Sequence, residues 1–222
     1  MEKLKTPLAI INFKAFSSAI GENAVVMAKL CEKEAKLSGI TVGVAVQPAD
    51  IFNVVNNVSI PVFAQHVDAV FLGAFTGSVL VESVVQAGVV GSLVNHSEHP
   101  VDLAAIKKTV LRLHDVDVLA VACAGTAEMA FEIAKFSPDF VVIEPPELIG
   151  GNIAVSQARP EVITAITKNV KRCPVLCGAG IKTKVDVEKA IALGAKGILV
   201  ASGVCLAKNP ASALRDLLAG FK

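Results

Sequence analysis

The chain is 222 residues long, 53% hydrophobic and only 18% charged, with a formal net charge of +1 and a mean hydropathy of +0.61. This composition excludes intrinsic disorder, which needs few apolar residues and much charge. It also excludes a membrane-spanning helix, which needs roughly 20 consecutive apolar residues, whereas the longest run, Val118–Ala124, is far shorter. Lys plus Arg total 21 and Asp plus Glu 20 with no basic block, so the electrostatic footprint of a nucleic-acid binder is missing. With no Trp and no Tyr, platforms for stacking bases are scarce as well. The first residues lead into a short apolar run that stops at Lys14, without the length or cleavage site of a signal peptide. Cys31, Cys123, Cys173, Cys177 and Cys205 are odd in number and mostly in apolar surroundings. They read as buried free thiols, and a cytoplasmic location is expected.

In chain order, the first apolar burst is Leu8–Phe13, and Ser17 and Ser18 precede an amphipathic stretch that predicts a helix ending near Gly39. The next bursts are Val42–Val46 and Val62–Ala64, and the units after these two carry the weakest helix signals. Val89–Val94 comes fourth; Pro100 then opens a segment with Val101, Ala104, Ala105, Ile106 and Leu111 on helical spacing. Val118–Cys123 is fifth, and Thr126 is placed to cap a helix over 127–136. After the sixth burst, Phe140–Ile143, Pro160 begins a helix over 161–170 with Val162, Ile163, Ile166 and Val170 on one face. Val175–Cys177 is followed by a helix over 185–193 that stops at Gly194. The eighth burst is Ile198–Val200, and Asn209 with Pro210 makes an N-cap and first-turn pair for a last helix before Gly220.

Each burst is continuously apolar, which suits a strand of a parallel sheet buried on both faces. The bursts recur at intervals of about 20 to 34 residues, the length of one βα unit. Eight strands alternating with helices, with no linker and no break in composition, predict an α/β fold: one closed (β/α)8 barrel domain over residues 1–222. Barrels of this kind typically have about 250 residues, so this one must be compact, with trimmed loops. The alternative is an open doubly wound sheet, but no burst carries the charges that protect an edge strand.

A barrel places its active site at the C-terminal ends of its strands. Asn12 and Lys14 follow the first burst, Gln65 and His66 the third, and Asn95, His96, Ser97 and Glu98 the fourth. Glu144 follows the sixth and leads into Pro145-Pro146-Glu147-Leu148-Ile149-Gly150-Gly151. Gly178-Ala179-Gly180 follows the seventh and Ala201-Ser202-Gly203 the eighth. A Lys, a His and a Glu on three strand ends make a coherent site. The small residues on the last two let backbone N–H groups approach a phosphate.

Asn12-Phe13-Lys14, His96-Ser97-Glu98, and Glu144-Pro145-Pro146 followed by Ile149-Gly150 resemble, in order and strand position, the three signature segments of the triosephosphate isomerase family. The double proline, the Gly-Ala-Gly turn and the compact length resemble its short archaeal branch. The resemblance covers nearly the whole chain. It implies a TIM barrel that interconverts D-glyceraldehyde 3-phosphate and dihydroxyacetone phosphate through an enediolate, in glycolysis and gluconeogenesis, with neither cofactor nor metal. It further implies that Glu144 is the base, His96 a neutral electrophile, and Lys14 the cation that attracts the substrate dianion, with Asn12 holding the substrate. A helix N-terminus starting at Ser97-Glu98 is expected to favour the neutral ring. Glu98 would support Lys14, and backbone groups of Ile149, Gly180, Ala201 and Ser202 would bind phosphate. Pro145, Pro146, Gly150 and Gly151 would belong to a closing lid. The resemblance also implies a homo-oligomer, a tetramer as in the short archaeal forms, with the apolar Val67–Phe75 region as a candidate interface. Asn95 stands where much of the family has Gly, His99 where many members have Arg, and Gly151-Asn152 replaces the usual Thr-Gly.

Blander readings compete with these. A Lys after a strand is usually a solvated surface residue. His96 and His99 at i, i+3 suggest a metal pair, but a zinc site wants three or four ligands and no others stand at suitable spacing. Cys123, between Ala122 and Ala124, reads as a small core residue, and Cys173 and Cys177 as packing. His66 and His114 carry no assignable role. Gly178-Ala179-Gly180 lacks the third glycine of a dinucleotide fingerprint. Another phosphate-binding barrel enzyme (an epimerase, a synthase, or a Schiff-base aldolase using Lys14) explains the glycine-rich turns but not Lys14 together with His96 and Glu144. An inactive barrel kept as a scaffold leaves all three without purpose.

Overall fold

The computed structural model describes residues 4–148 and 154–222. Among these, strands and helices alternate in chain order: β1 (Leu8–Asn12), α1 (Glu22–Ser38), β2 (Thr41–Val46), α2 (Ile51–Val55), β3 (Val62–Ala64), α3 (Val81–Gln86), β4 (Gly91–Val94) and α4 (Leu103–Asp115). They continue with β5 (Leu119–Ala124), α5 (Ala127–Ala134), β6 (Phe140–Ile143), α6 (Val155–Ala158), α7 (Pro160–Asn169), β7 (Val175–Cys177), α8 (Lys184–Ala192), β8 (Gly197–Val200), α9 (Ser202–Cys205) and α10 (Pro210–Ala219). Each strand pairs in parallel with the next, and β8 pairs back onto β1, so the sheet closes into the expected (β/α)8 barrel. No helix among the described residues is long and apolar enough to cross a membrane.

Successive side chains on a strand point to opposite faces, and this period of two separates two cores. Ala9 and Ile11 of β1 pack outward against the helices. Leu8 and Ile10 point into the barrel, where they meet Phe63, Leu93, Leu119, Val121, Phe140, Val142, Leu176 and Leu199. Phe63 needs room in that interior. A Cβ on Gly43 would lie 2.8 Å from its ring and one on Gly91 3.0 Å from it, so neighbouring strands supply glycine where β3 supplies the large side chain.

Where a capping signal is local, the helices start as expected. Thr126 accepts the Met129 N–H, Asn209 accepts that of Ser212, and Pro160 opens α7. Thr183 and Asp186 form a reciprocal capping box at α8. Two starts differ. Ser17 and Ser18 join Ala19 in a 3-10 turn, and α1 begins only at Glu22, after Gly21 turns the chain with a φ of 58°. Pro100 does not open α4; Asp102 caps it, its carboxylate accepting the Ala105 N–H at 2.8 Å. Leu111 then faces solvent, and the buried face of α4 carries Ile106, Val110 and Leu113 instead. The turn after β8 winds into the short α9, which the small residues alone did not announce. Helices α2 and α3 are a turn or two long, too short for a 3.6-residue period to register.

All five thiols are free and buried. Burial pushes those of Cys177 and Cys205 up to about 12, in Cys205 against the pull of the Lys14 charge. Thiols held so far from ionisation pack as small hydrophobes.

Candidate active site

The same alternation that fills the barrel builds the floor of its mouth. Following the inward-facing Leu8 and Ile10 comes Asn12; following Phe140 and Val142 comes Glu144; following Leu176 comes Gly178; following Leu199 comes Ala201. These four line one pocket together with Lys14, His96, Gly180 and Ser202. Asn12, His96 and Glu144 are all buried.

Lys14 sits in the left-handed region with φ 48°, a conformation that costs a non-glycine residue about 1–3 kcal/mol. Three contacts hold it there. Its N–H donates to Asn12 Oδ1 at 3.0 Å, and its carbonyl accepts from Gln47 Nε2 at 3.1 Å and Gln65 Nε2 at 3.0 Å. Its Nζ donates to Glu98 Oε1 at 2.6 Å. The Lys14 side chain is 15% exposed and that of Glu98 56% exposed, so the pair stands at the pocket rim where the cation can be handed to another anion. The sequence reading passed over Gln47 and left Gln65 without a role. The available signal was a polar amide directly after β2 and after β3.

His96 lies in a turn closed by the His99 N–H on its carbonyl at 2.8 Å. The expected helix N-terminus at Ser97-Glu98 is absent, since α4 begins at Leu103. The ring is set by a single amide instead: the Glu98 N–H donates to His96 Nδ1 at 3.1 Å. An acceptor Nδ1 leaves the neutral ring with its hydrogen on Nε2, which faces Glu144 Oε2 at 3.7 Å. Asn95 occupies the left-handed region with φ 59°, where Asn is among the most tolerant non-glycine residues. Its amide donates to the Cys123 carbonyl at 2.9 Å and accepts the Val101 N–H at 3.0 Å, bracing the turn.

Glu144 is 3% exposed, and its Oε2 has no hydrogen-bond partner among the described residues. Burial pushes its carboxyl above the usual range, while the His96 ring, the Cys123 thiol and the Lys14 charge pull the other way. Cys123 is buried as expected of a core residue, and the nearby Glu144 carboxylate adds to burial in pushing its thiol up. Beneath Glu144 the backbone of Gly178 is in contact: a Cβ there would lie 2.3 Å from Glu144 Cγ. Gly178→Ala should therefore displace the carboxylate and lower kcat by about 100-fold, the cost of a roughly 1 Å misplacement. Unchanged kinetics in a folded Gly178→Ala protein would refute this steric account.

At the opposite wall, Gly180 takes φ 71°, and α9 starts at Ser202, where first-turn N–H groups have no partner inside the helix. Asp186, also missed from sequence, shapes this wall. It accepts from the Lys182 and Thr183 N–H groups at 3.1 and 2.9 Å and from Gln157 Nε2 at 2.5 Å. Burial raises its carboxyl, but these donors outweigh that and leave it below the ordinary value. Ser156 donates to the Asp186 carbonyl at 3.1 Å, and the Val155 N–H to that of Ala179 at 3.0 Å. Helix α6 is thereby fastened to the Gly180 turn. Before it, Pro145 is buried and Pro146–Leu148 forms a 3-10 turn. Ile149, Gly150, Gly151 and Asn152 lie outside the described residues.

Comparison with known proteins agrees along almost the full chain. The family model described as Triosephosphate isomerase matches residues 7–217. A triosephosphate isomerase of Methanothermus fervidus is 46% identical over 216 residues, covering 96% of this chain and 97% of the relative. That of Methanobrevibacter smithii is 44% identical over 219 residues, covering 97% and 99%, and that of Methanocaldococcus jannaschii 42% identical over 215 residues, covering 95% and 98%.

Proposed function

Because the chain belongs to the triosephosphate isomerase family, we infer that Glu144, His96 and Lys14 share the proton transfer by which it interconverts D-glyceraldehyde 3-phosphate and dihydroxyacetone phosphate. This reaction, a step of glycolysis and gluconeogenesis, moves a proton between neighbouring carbons through an enediolate. It needs a base, a hydrogen-bond donor for the oxygens, and a cation near the developing charge. The observation that carries the assignment is the Glu144 carboxylate: buried, short of one hydrogen-bond partner among the described residues, held above its usual range by burial, and facing His96 Nε2.

In this reading the unpartnered Glu144 Oε2 takes the carbon-bound proton and returns it to the adjacent carbon. His96 donates from Nε2 to the substrate oxygens, because its Nδ1 is engaged by the Glu98 amide. Lys14 attracts the phosphate dianion and stabilises the enediolate, with Glu98 as its resting partner and Asn12 holding both the Lys14 backbone and the substrate. Backbone groups of Gly180, Ala201 and Ser202 bind the phosphate, joined by that of Ile149. A lid including Pro145, Pro146, Gly150 and Gly151 closes over it, excluding water so that the enediolate does not eliminate phosphate.

Residues 1–222 act as one domain in this reading, in the cytoplasm, and the chain assembles as a homotetramer. Within the predicted Val67–Phe75 region Val67 is itself buried, but Phe71, Leu72 and Phe75 are exposed. Leu111 of α4 and Met129 of α5 add a second exposed apolar pair. A dimer of dimers needs two distinct self-complementary patches.

The test is a coupled assay that starts from glyceraldehyde 3-phosphate without added metal and follows dihydroxyacetone phosphate through a glycerol-phosphate dehydrogenase. Rapid turnover that is inhibited by phosphoglycolate is expected. A folded protein with no turnover would overturn the reading, and sedimentation would separate a tetramer from a dimer.

A further inference from the structure

We propose that His66 and His99 form a positioning pair that ties the apolar 68–79 loop to the turn carrying His96, and that turnover depends on the proton count of this pair. The proposal rests on the isomerase assignment above. The two rings pack with centroids 4.0 Å apart and planes inclined by 41°. In the sequence reading His66 carries no role, and His99 enters only as half of a metal pair with His96 and as the departure from the family's Arg.

The contacts run without a break. On the loop side, His66 Nε2 lies 3.2 Å from Asp68 Oδ1. The other oxygen of Asp68 accepts the Val79 N–H at 2.7 Å, and the Asp68 N–H donates to the Val79 carbonyl at 2.9 Å. Asp68 thus clasps both ends of the loop that exposes Phe71, Leu72 and Phe75, while the Arg112 guanidinium lies 4.4 Å from the Phe71 ring. On the catalytic side, the His99 N–H closes the turn on the His96 carbonyl. That turn supplies the Glu98 amide to His96 Nδ1 and the Glu98 carboxylate to Lys14. A shift of the His99 ring therefore moves the backbone that orients the catalytic imidazole.

Among the described residues, the charged and titratable groups around the pair are few. Asp68 and His99 face His66, and Lys14, His96 and Glu98 line the cavity that both rings share. One imidazolium beside Asp68 is tolerated, but two with rings in contact repel. Burial pushes His66 below the usual imidazole value, Asp68 opposes this, and the nearness of His99 adds to it. A histidine depressed in this way binds fewer protons in the folded protein than in the unfolded chain. Its contribution is then lost as pH falls below about 6.5.

The experiment measures kcat and KM between pH 5.5 and 8 for the wild type, His99→Phe, His66→Gln and, as a control remote from the pair, His114→Gln. His99→Phe keeps a ring against His66 without a proton, and His66→Gln keeps a donor for Asp68. In both, the ratio of kcat at pH 5.5 to kcat at pH 8 is expected to exceed the wild-type ratio by about three- to tenfold. The control should keep the wild-type ratio. Substrate phosphate and Glu144 titrate in every variant and cancel from the comparison. In wild-type protein, NMR titration of the His66 ring should lie lower than in His99→Phe, a readout that does not depend on activity. Superimposable pH profiles with an unmoved His66 titration would overturn the proposal. Absence of wild-type turnover at pH 8 would instead count against the isomerase assignment.

Discussion

Replacing Glu144 by Gln is expected to lower kcat by roughly a thousand- to ten-thousand-fold, the scale of a lost general base, while raising the thermal stability of the protein at neutral pH. The amide has nearly the same shape, so the contact with Gly178 and the approach to His96 persist, but it cannot take a proton from carbon. The stability gain follows from the site itself. Glu144 is buried with an oxygen that has no partner among the described residues, and burial raises its carboxyl above the unfolded value. At neutral pH the ionised group is therefore less favourable in the folded protein than in the unfolded chain. That cost is fully present above the raised pKa and disappears below the unfolded one, near 4.5. Relieving it should add on the order of 1 kcal/mol, which raises Tm by about 2–4 °C for a chain of this size. Calorimetry at pH 7.5 and towards pH 4 checks the sign, since the gap between variant and wild type should narrow as pH falls. A variant less stable than wild type at pH 7.5 would show that the carboxylate is satisfied by its neighbours.

Replacing Lys14 by Met should reduce kcat/KM by about a thousandfold, as expected for removing a charge aimed at a developing oxyanion. Both parameters should move: KM rises because the dianion loses its attractor, and kcat falls because the enediolate carries more charge than the substrate carbonyl. A rise in KM with kcat intact would reduce Lys14 to a uniform binding residue. Stability should change little, because the partner carboxylate of Glu98 is more than half exposed and returns to water. The backbone strain at Lys14 remains, since its holding contacts from Asn12, Gln47 and Gln65 involve main-chain atoms. Raising ionic strength should raise the wild-type KM more than that of the variant.

The elements that sequence reasoning placed well share a short physical range. Thr126 and Asn209 cap helices through bonds that span three residues, and each strand announced itself by burial on both faces. Asp102 was readable by the same rule but was overshadowed by Pro100. The lost cases are short or shared between elements. Helices α2, α3 and α9 are too brief for a period to develop, and Leu111 lies on the solvent face of a helix whose neighbours decide which stripe is covered.

The site divides along the same line. Strand ends plus a period of two were enough to bring Asn12, Glu144, Gly178 and Ala201 to one mouth, because side-chain alternation is a local property of any strand. The sequence alone therefore determined the barrel and the ring of strand ends at its mouth. Only the tertiary structure decided how they are held. Gln65 reaches Lys14 across 51 positions of sequence, and Glu98 across 84. The Glu98 amide, not a helix dipole, sets the His96 ring. Gly178 leaves space under Glu144, Asp186 shapes the Gly180 wall, and His66 meets His99. Such contacts arise when closure of the barrel brings separate loops within hydrogen-bond reach, and no local spacing in the chain encodes that distance.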